Sequence, residues 1–145
     1  MYYSEPVIVV GTGRSGTSII AGMLHYLGVS MGPEEALIPA NEHNPAGHWE
    51  DSNFRRNNLL YIENKIDEEE FEEKIYKLYN HRATRNRFWG WKVPSTATVL
   101  PKYLELWDRR HDTMPKVIWC KRPVEGVKES MEEHYGWSDS HCKKL

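Results

Sequence analysis

Two glycines, Gly11 and Gly16, stand with four residues between them in "VIVVGTGRSGTSII", the stretch from Val7 to Ile20. Their spacing is that of a phosphate-binding GxxxxGK[ST] loop. In such a loop the backbone amides of Gly13, Arg14, Ser15, Gly16, Thr17 and Ser18, with the start of the helix that follows, surround an anion. Glycines let the backbone close on the ligand without a Cβ in the way. One residue departs from the pattern: Thr17 stands where ATP-binding loops place the lysine that reaches the outer phosphates, and the local cation is Arg14. Further along, "WGWKVP" carries Lys92, and "KVIWCKRP" ends in Lys121 and Arg122. An ATP site has a metal-holding acid at the end of a strand, whereas both of these runs end in cations. The chemistry they suit is binding of an anion neutralised by side chains, without a metal. There is no CxxC or HExxH pattern, so no zinc centre is expected either.

These residues need a frame that brings them together. "PVIVV" (6–10) is a short β-branched run of the kind buried on both faces of a parallel sheet. After the glycine loop, Ile19, Ile20, Met23, Leu24 and Leu27 recur at helical spacing, with Gly28 as the stop. From Val29 to Asp51 prolines and glycines predict a loop. Asp51 or Ser52 caps a helix through "NFRRNNLLYIENK". A further helix carries Phe71, Ile75, Leu78 and Tyr79 inward and the acidic run "DEEEFEE" outward. A second strand is expected over 88–94. Next comes a helix in "PKYLELWDRRH" with Leu100, Tyr103, Leu104 and Trp107 on one face and Pro101 near its start. A third strand over 116–123 and a helix with Val124, Val127 and Met131 inward complete the chain. Strands alternating with helices predict an α/β fold: three layers, αβα, phosphate-loop-like, with a short central parallel sheet and a single domain over 1–145. Ligands of such sheets bind outside the carboxyl ends of the strands, where all the residues above fall.

Composition narrows the partners. With 145 residues and a net charge of −2, no global field favours nucleic acid or an anionic membrane, so an anion site has to be built locally. No apolar run approaches the ~20 residues of a membrane span, and "MYYSEPVIVV" lacks the form of a signal peptide. Two cysteines, Cys120 and Cys142, are too few for a disulfide framework, and reduced thiols in a cytoplasmic chain are the expectation.

The motifs together resemble the sulfotransferases that use 3′-phosphoadenosine-5′-phosphosulfate (PAPS). "GTGRSGTS" is similar to their 5′-phosphosulfate loop, and "RPVEGVKES" to their 3′-phosphate motif, with Arg122 at the strand end and Ser130 eight positions on. "NPAGHWED" and "WGWKVP" resemble segments of bacterial and viral members. The resemblance implies that Arg14, Ser15, Gly16, Thr17 and Ser18 hold the phosphosulfate and that Arg122 and Ser130 hold the ribose 3′-phosphate. It also implies that Lys92 stands near the bridging oxygen. An arginine fork is apt for a phosphate. Many members carry a glycine- and lysine-containing segment after the 3′-phosphate motif, where this chain has only the Lys143-Lys144 tail.

Sulfuryl transfer needs charge stabilisation, a positioned acceptor and a base. Arg14 and Lys92 are the electrostatic candidates and Glu50 is the first candidate base, with His48, His43 and Glu35 as alternatives. Trp49, Trp89 and Trp91 are candidates for an acceptor pocket, an adenine platform or the core. The expected function is transfer of a sulfuryl group from PAPS to an acceptor hydroxyl or amine, the acceptor being a small molecule, glycan or lipid. A homodimer that completes the site is compatible with the small, aromatic-rich chain. Two other readings stay open: a P-loop nucleotide or small-molecule kinase, and a catalytically degenerate nucleotide-binding module.

Overall fold

The structure, a computed structural model, describes residues 4–136, apart from the side chain of His134. β1 (Val7–Val10) is followed by α1 (Thr17–Tyr26), a 3-10 turn (Glu34–Ala36), α2 (Ser52–Ile62) and α3 (Glu68–Ala83). Then come β2 (Gly90–Lys92), α4 (Thr96–Asp108), β3 (Lys116–Trp119) and α5 (Val124–Tyr135). The three strands form a parallel sheet in the order β2-β1-β3, so the chain is a small α/β fold, as the alternation of strands and helices predicts.

Alternation along β1 divides the core. Ile8 and Val10 point to one face, where with Trp89 and Trp91 they meet Phe54 of α2, Phe71, Ile75 and Tyr79 of α3, and Tyr103 and Trp107 of α4. Val9 points to the other, where it meets Ala21 of α1, Met31 and the half-buried Trp49. Phe54 and Trp91 stack with ring centroids 4.2 Å apart and nearly parallel planes. Trp89 and Trp91 are thus core residues rather than walls of a pocket.

The elements differ from the sequence expectation at their ends. β2 and β3 are shorter than 88–94 and 116–123, because β1 offers only four residues to pair with. α4 begins a turn earlier than expected, so Pro101 lies inside it. The missing proline N–H leaves the carbonyl of Ala97, itself exposed, to water. Leu106 is buried in place of Leu104, which is half-buried. Val124 is exposed, leaving Val127 and Met131 to anchor α5. Val117 and Trp119 share the face of Ile8 and Val10 but stay exposed, since α2–α4 cover β1 and β2 and stop short of β3.

Two internal constraints place the loop between α1 and α2. Asp51 accepts from the Asn53 amide at 2.9 Å, capping α2, and also receives the Arg82 guanidinium, with Nη2 at 2.7 Å and Nε at 3.1 Å from Oδ2. Both charged side chains are almost wholly buried. Asn58 of α2, also buried, donates to Ser95 and Thr96 and accepts from the Tyr103 hydroxyl at 2.6 Å. These bonds tie α2 to the end of β2 and to α4.

Gly90 is where the sheet tolerates no side chain. A Cβ there would lie 1.9 Å from the carbonyl oxygen of Val7 in the paired strand, and neither backbone can yield without breaking the ladder. Gly90→Ala is expected to destabilise the fold by the upper end of the ~1–3 kcal/mol typical of overpacking. Urea melts that leave the midpoint unchanged would contradict this close approach.

Candidate anion-binding site

The glycine loop connects the end of β1 to the start of α1. Gly11 turns off β1, and a Cβ there would lie 2.7 Å from both the Cys120 carbonyl oxygen and the Ser15 hydroxyl. Gly16 caps α1 at φ 90°, a left-handed conformation that favours glycine, and makes no side-chain cap hydrogen bond. The first amides of α1 therefore have no capping oxygen within the loop and point their partial positive charge outward. Arg14 is also left-handed, at φ 65°. Holding a non-glycine residue there costs ~1–3 kcal/mol and is a hallmark of sites where direction matters.

The direction is set by partners distant in sequence. Arg14 Nε donates to Ser130 Oγ of α5 at 2.8 Å, and its Nη1 reaches the His43 carbonyl at 3.5 Å. Arg122 Nη1 donates to the Arg14 carbonyl at 3.2 Å. Two guanidinium groups and a buried serine hydroxyl thus converge beside the loop. Across the cleft Lys92 is 2 % exposed. Its Nζ donates to Glu50 Oε1 at 2.9 Å, to the His48 carbonyl at 2.9 Å and to Ser18 Oγ at 3.1 Å. Burial pulls the Lys92 pKa down while Glu50 opposes the shift.

A cleft of ≈ 490 Å³ joins these groups. Gly13, Arg14, Gly16, Thr17, Ser18, His48, Glu50, Lys92 and Arg122 all line it, so most of the candidates named from sequence share one surface. Ser15 and Ser130 act from behind: Ser15 Oγ donates to the Thr12 carbonyl and shapes the loop, and Ser130 holds Arg14. Asn44, Ile19, Pro94 and Tyr135 also line the cleft, without a chemical signature in the sequence that marks them for it. Glu35 belongs to the 3-10 turn and is exposed, and the His43 ring packs at a tilt against Tyr135, with centroids 5.1 Å apart and planes at 51°. Lys143, Lys144 and Cys142 lie outside the described residues.

His48 is constrained rather than free to work. Its Nδ1 lies 3.2 Å from the Asn44 amide nitrogen, which assigns it as acceptor and Nε2 as the protonated atom. Nε2 is buried and meets no partner. Burial lowers its pKa below the ordinary 6.5, and burial does the same for His81 and His111. Between the lowered values and 6.5 the unfolded chain binds more protons than the folded one, so stability rises with pH through that window. Acidification from pH 7.5 to 5.5 is expected to reduce the unfolding free energy, and the double variant His48→Gln, His111→Gln to flatten that slope. Denaturant melts at the two pH values measure it, and stability that grows on acidification would refute the assignment.

The fold is that of a small α/β protein, with a glycine loop and a cleft at the carboxyl edge of its parallel sheet. No family model matches the chain, and no curated protein is significantly similar to it. Among the described residues no helix is long and apolar enough to cross a membrane, and no group of three or more histidine, cysteine or acidic side chains is placed to hold a metal ion.

Proposed function

We propose that the protein is a sulfotransferase that moves a sulfuryl group from PAPS to an acceptor hydroxyl or amine. The observation that carries the reading is the junction of the glycine loop with the Arg122–Ser130 pair, made by Arg14 across more than a hundred residues of sequence. One anion cradle at a helix start beside a second cationic clamp fits a nucleotide with phosphates at both ends of its ribose. Loop amides and Thr17 and Ser18 would receive the phosphosulfate, and Arg122 with Arg14 the 3′-phosphate.

Lys92 supports the same choice over a kinase. In ATP-binding loops the Ser/Thr at the position of Ser18 holds Mg²⁺. Here an ammonium group lies 3.1 Å from that hydroxyl, so a fixed cation stands beside the place of the metal. In the transfer, an acceptor oxygen or nitrogen attacks sulfur in line, the bond from sulfur to the bridging oxygen breaks, and the electron pair leaves on the 5′-phosphate of adenosine 3′,5′-bisphosphate. Lys92 and the loop amides would stabilise that leaving charge. Glu50, in the cleft and 13 % exposed, would take the acceptor proton once Lys92 turns to the leaving group. A cytoplasmic setting, where PAPS and reduced thiols coexist, belongs to the same proposal.

Calorimetry with adenosine 3′,5′-bisphosphate, 5′-AMP and ATP, with and without Mg²⁺, tests the reading. Binding is expected to need the 3′-phosphate, to ignore Mg²⁺ and to weaken at least tenfold in Arg122→Ala, about 1.4 kcal/mol. Preference for ATP with Mg²⁺ would replace the proposal with a kinase. Bisphosphate binding without turnover of PAPS, over a broad acceptor screen, would leave a nucleotide-binding module.

A further inference from the structure

α1 is apolar on both sides. Thr17, Ala21 and Gly22 face the sheet, while Ile19, Met23, Tyr26 and Leu27, spaced i, i+4, i+7 and i+8, lie on the opposite side. Tyr26 and Leu27 are 83 % and 79 % exposed. A solvated helix face normally carries charge at these positions, and apolar surface gathered in one place marks a binding site.

The shape around this stripe is a groove rather than a convex patch. The segment 44–49 rises beside α1 and leaves a cleft of ≈ 570 Å³ between them. Trp49 closes its far end in a strained left-handed conformation, at φ 55°. Three contacts hold it: Nε1 donates to the Ala46 carbonyl at 3.0 Å, the ring packs against Gly22, and His25 and Tyr26 flank it with centroids 4.8 and 5.6 Å away. A Cβ on Gly22 would come within 2.8 Å of Trp49 Nε1, so the helix has no side chain where the indole lies.

The near end of the groove opens into the anion cleft. Ser18, Ile19 and Asn44 line both. Polar side-chain groups in the groove are confined to that shared end, apart from the Tyr26 hydroxyl and the Trp49 indole N–H, which is committed to the Ala46 carbonyl, and none is charged. We infer that this groove holds the apolar body of the acceptor, an alcohol or amine carried on an elongated aliphatic or aromatic frame, with the nucleophile presented at the Ser18–Asn44 end. The inference rests on the sulfotransferase reading for the word acceptor. Continuity with the cleft selects this occupant: a molecule lying along α1 with its polar head at Ser18 places that head beside the group to be transferred. A sugar would need free hydrogen-bonding groups along its length, and away from the shared end the groove's side chains offer it only the Tyr26 hydroxyl.

The probe is 1-octanol, titrated calorimetrically into the whole protein and into Met23→Glu and Leu27→Glu, two exposed positions where charge does not enter the core. Adenosine 3′,5′-bisphosphate binding and sedimentation are measured on the same samples. Octanol is expected to bind the unaltered protein and to weaken at least tenfold in each variant, with the bisphosphate affinity within twofold of the original. Octanol binding that both variants retain would overturn the groove as its site, as would no binding at all. A dimer in the unaltered protein that Met23→Glu dissociates would overturn it in favour of an interface between copies. Octanol binding lost in the variants while the unaltered protein ignores the bisphosphate would uphold the apolar site and sink the sulfotransferase reading instead.

Discussion

Lys92→Met is expected to slow the proposed sulfuryl transfer by ~10²–10³-fold while the protein stays folded. The magnitude is that of removing one fixed donor from a developing oxyanion in a site shielded from water. Lys92 has the attributes for such a role: burial, and a position between the loop serine and the carboxylate. Methionine keeps most of the apolar stem that packs at the end of β2. The variant should lose rate with little change in the KM for PAPS, because its help is stronger in the transition state than in the bound ground state. Single-turnover release of adenosine bisphosphate, with an acceptor found by screening, measures it. A fall in affinity with an unchanged rate constant would make Lys92 a binding residue alone, and no change in either would remove it from the chemistry.

The second large effect concerns stability. Arg82→Ala is expected to cost ~3–5 kcal/mol, because it leaves the Asp51 carboxylate buried without its cation. A domain of this size has only ~5–15 kcal/mol to lose, so the variant should sit near its unfolding transition at modest urea concentrations. Lys77→Ala breaks an ion pair with Glu73 on the exposed face of α3 and should leave the urea midpoint in place. Should the two variants melt alike, the burial of the Asp51–Arg82 pair would not matter in the way the geometry requires. The consequence reaches the cleft, since Asp51 adjoins Glu50 and caps the helix that follows it.

The parallel sheet and its helices were legible because each strand is a short apolar run and each helix shows a stripe at helical spacing, both properties of contiguous residues. The glycine loop was legible for the same reason, since its spacing reflects backbone conformation within a few residues. Lys92 and Arg122 could be placed near the loop because parallel strands put all their carboxyl ends on one edge. Which side chain touches which is a different matter. Arg14 reaching Ser130, Lys92 paired with Glu50, Arg82 paired with Asp51, and Asn58 joined to Tyr103 span 31 to 116 residues of chain. No periodicity records such a pairing, because it depends on how layers stack rather than on local spacing. The same holds for the α1 stripe: Ile19 and Met23 look like core at helical spacing beside Ile20 and Leu24, and only the tertiary structure decides which of them the sheet covers. What the sequence by itself determined is the order of elements and the edge on which charge gathers. The tertiary structure decided which charges face each other and which apolar face stays open, since burial is a property of the packed layers and not of the chain.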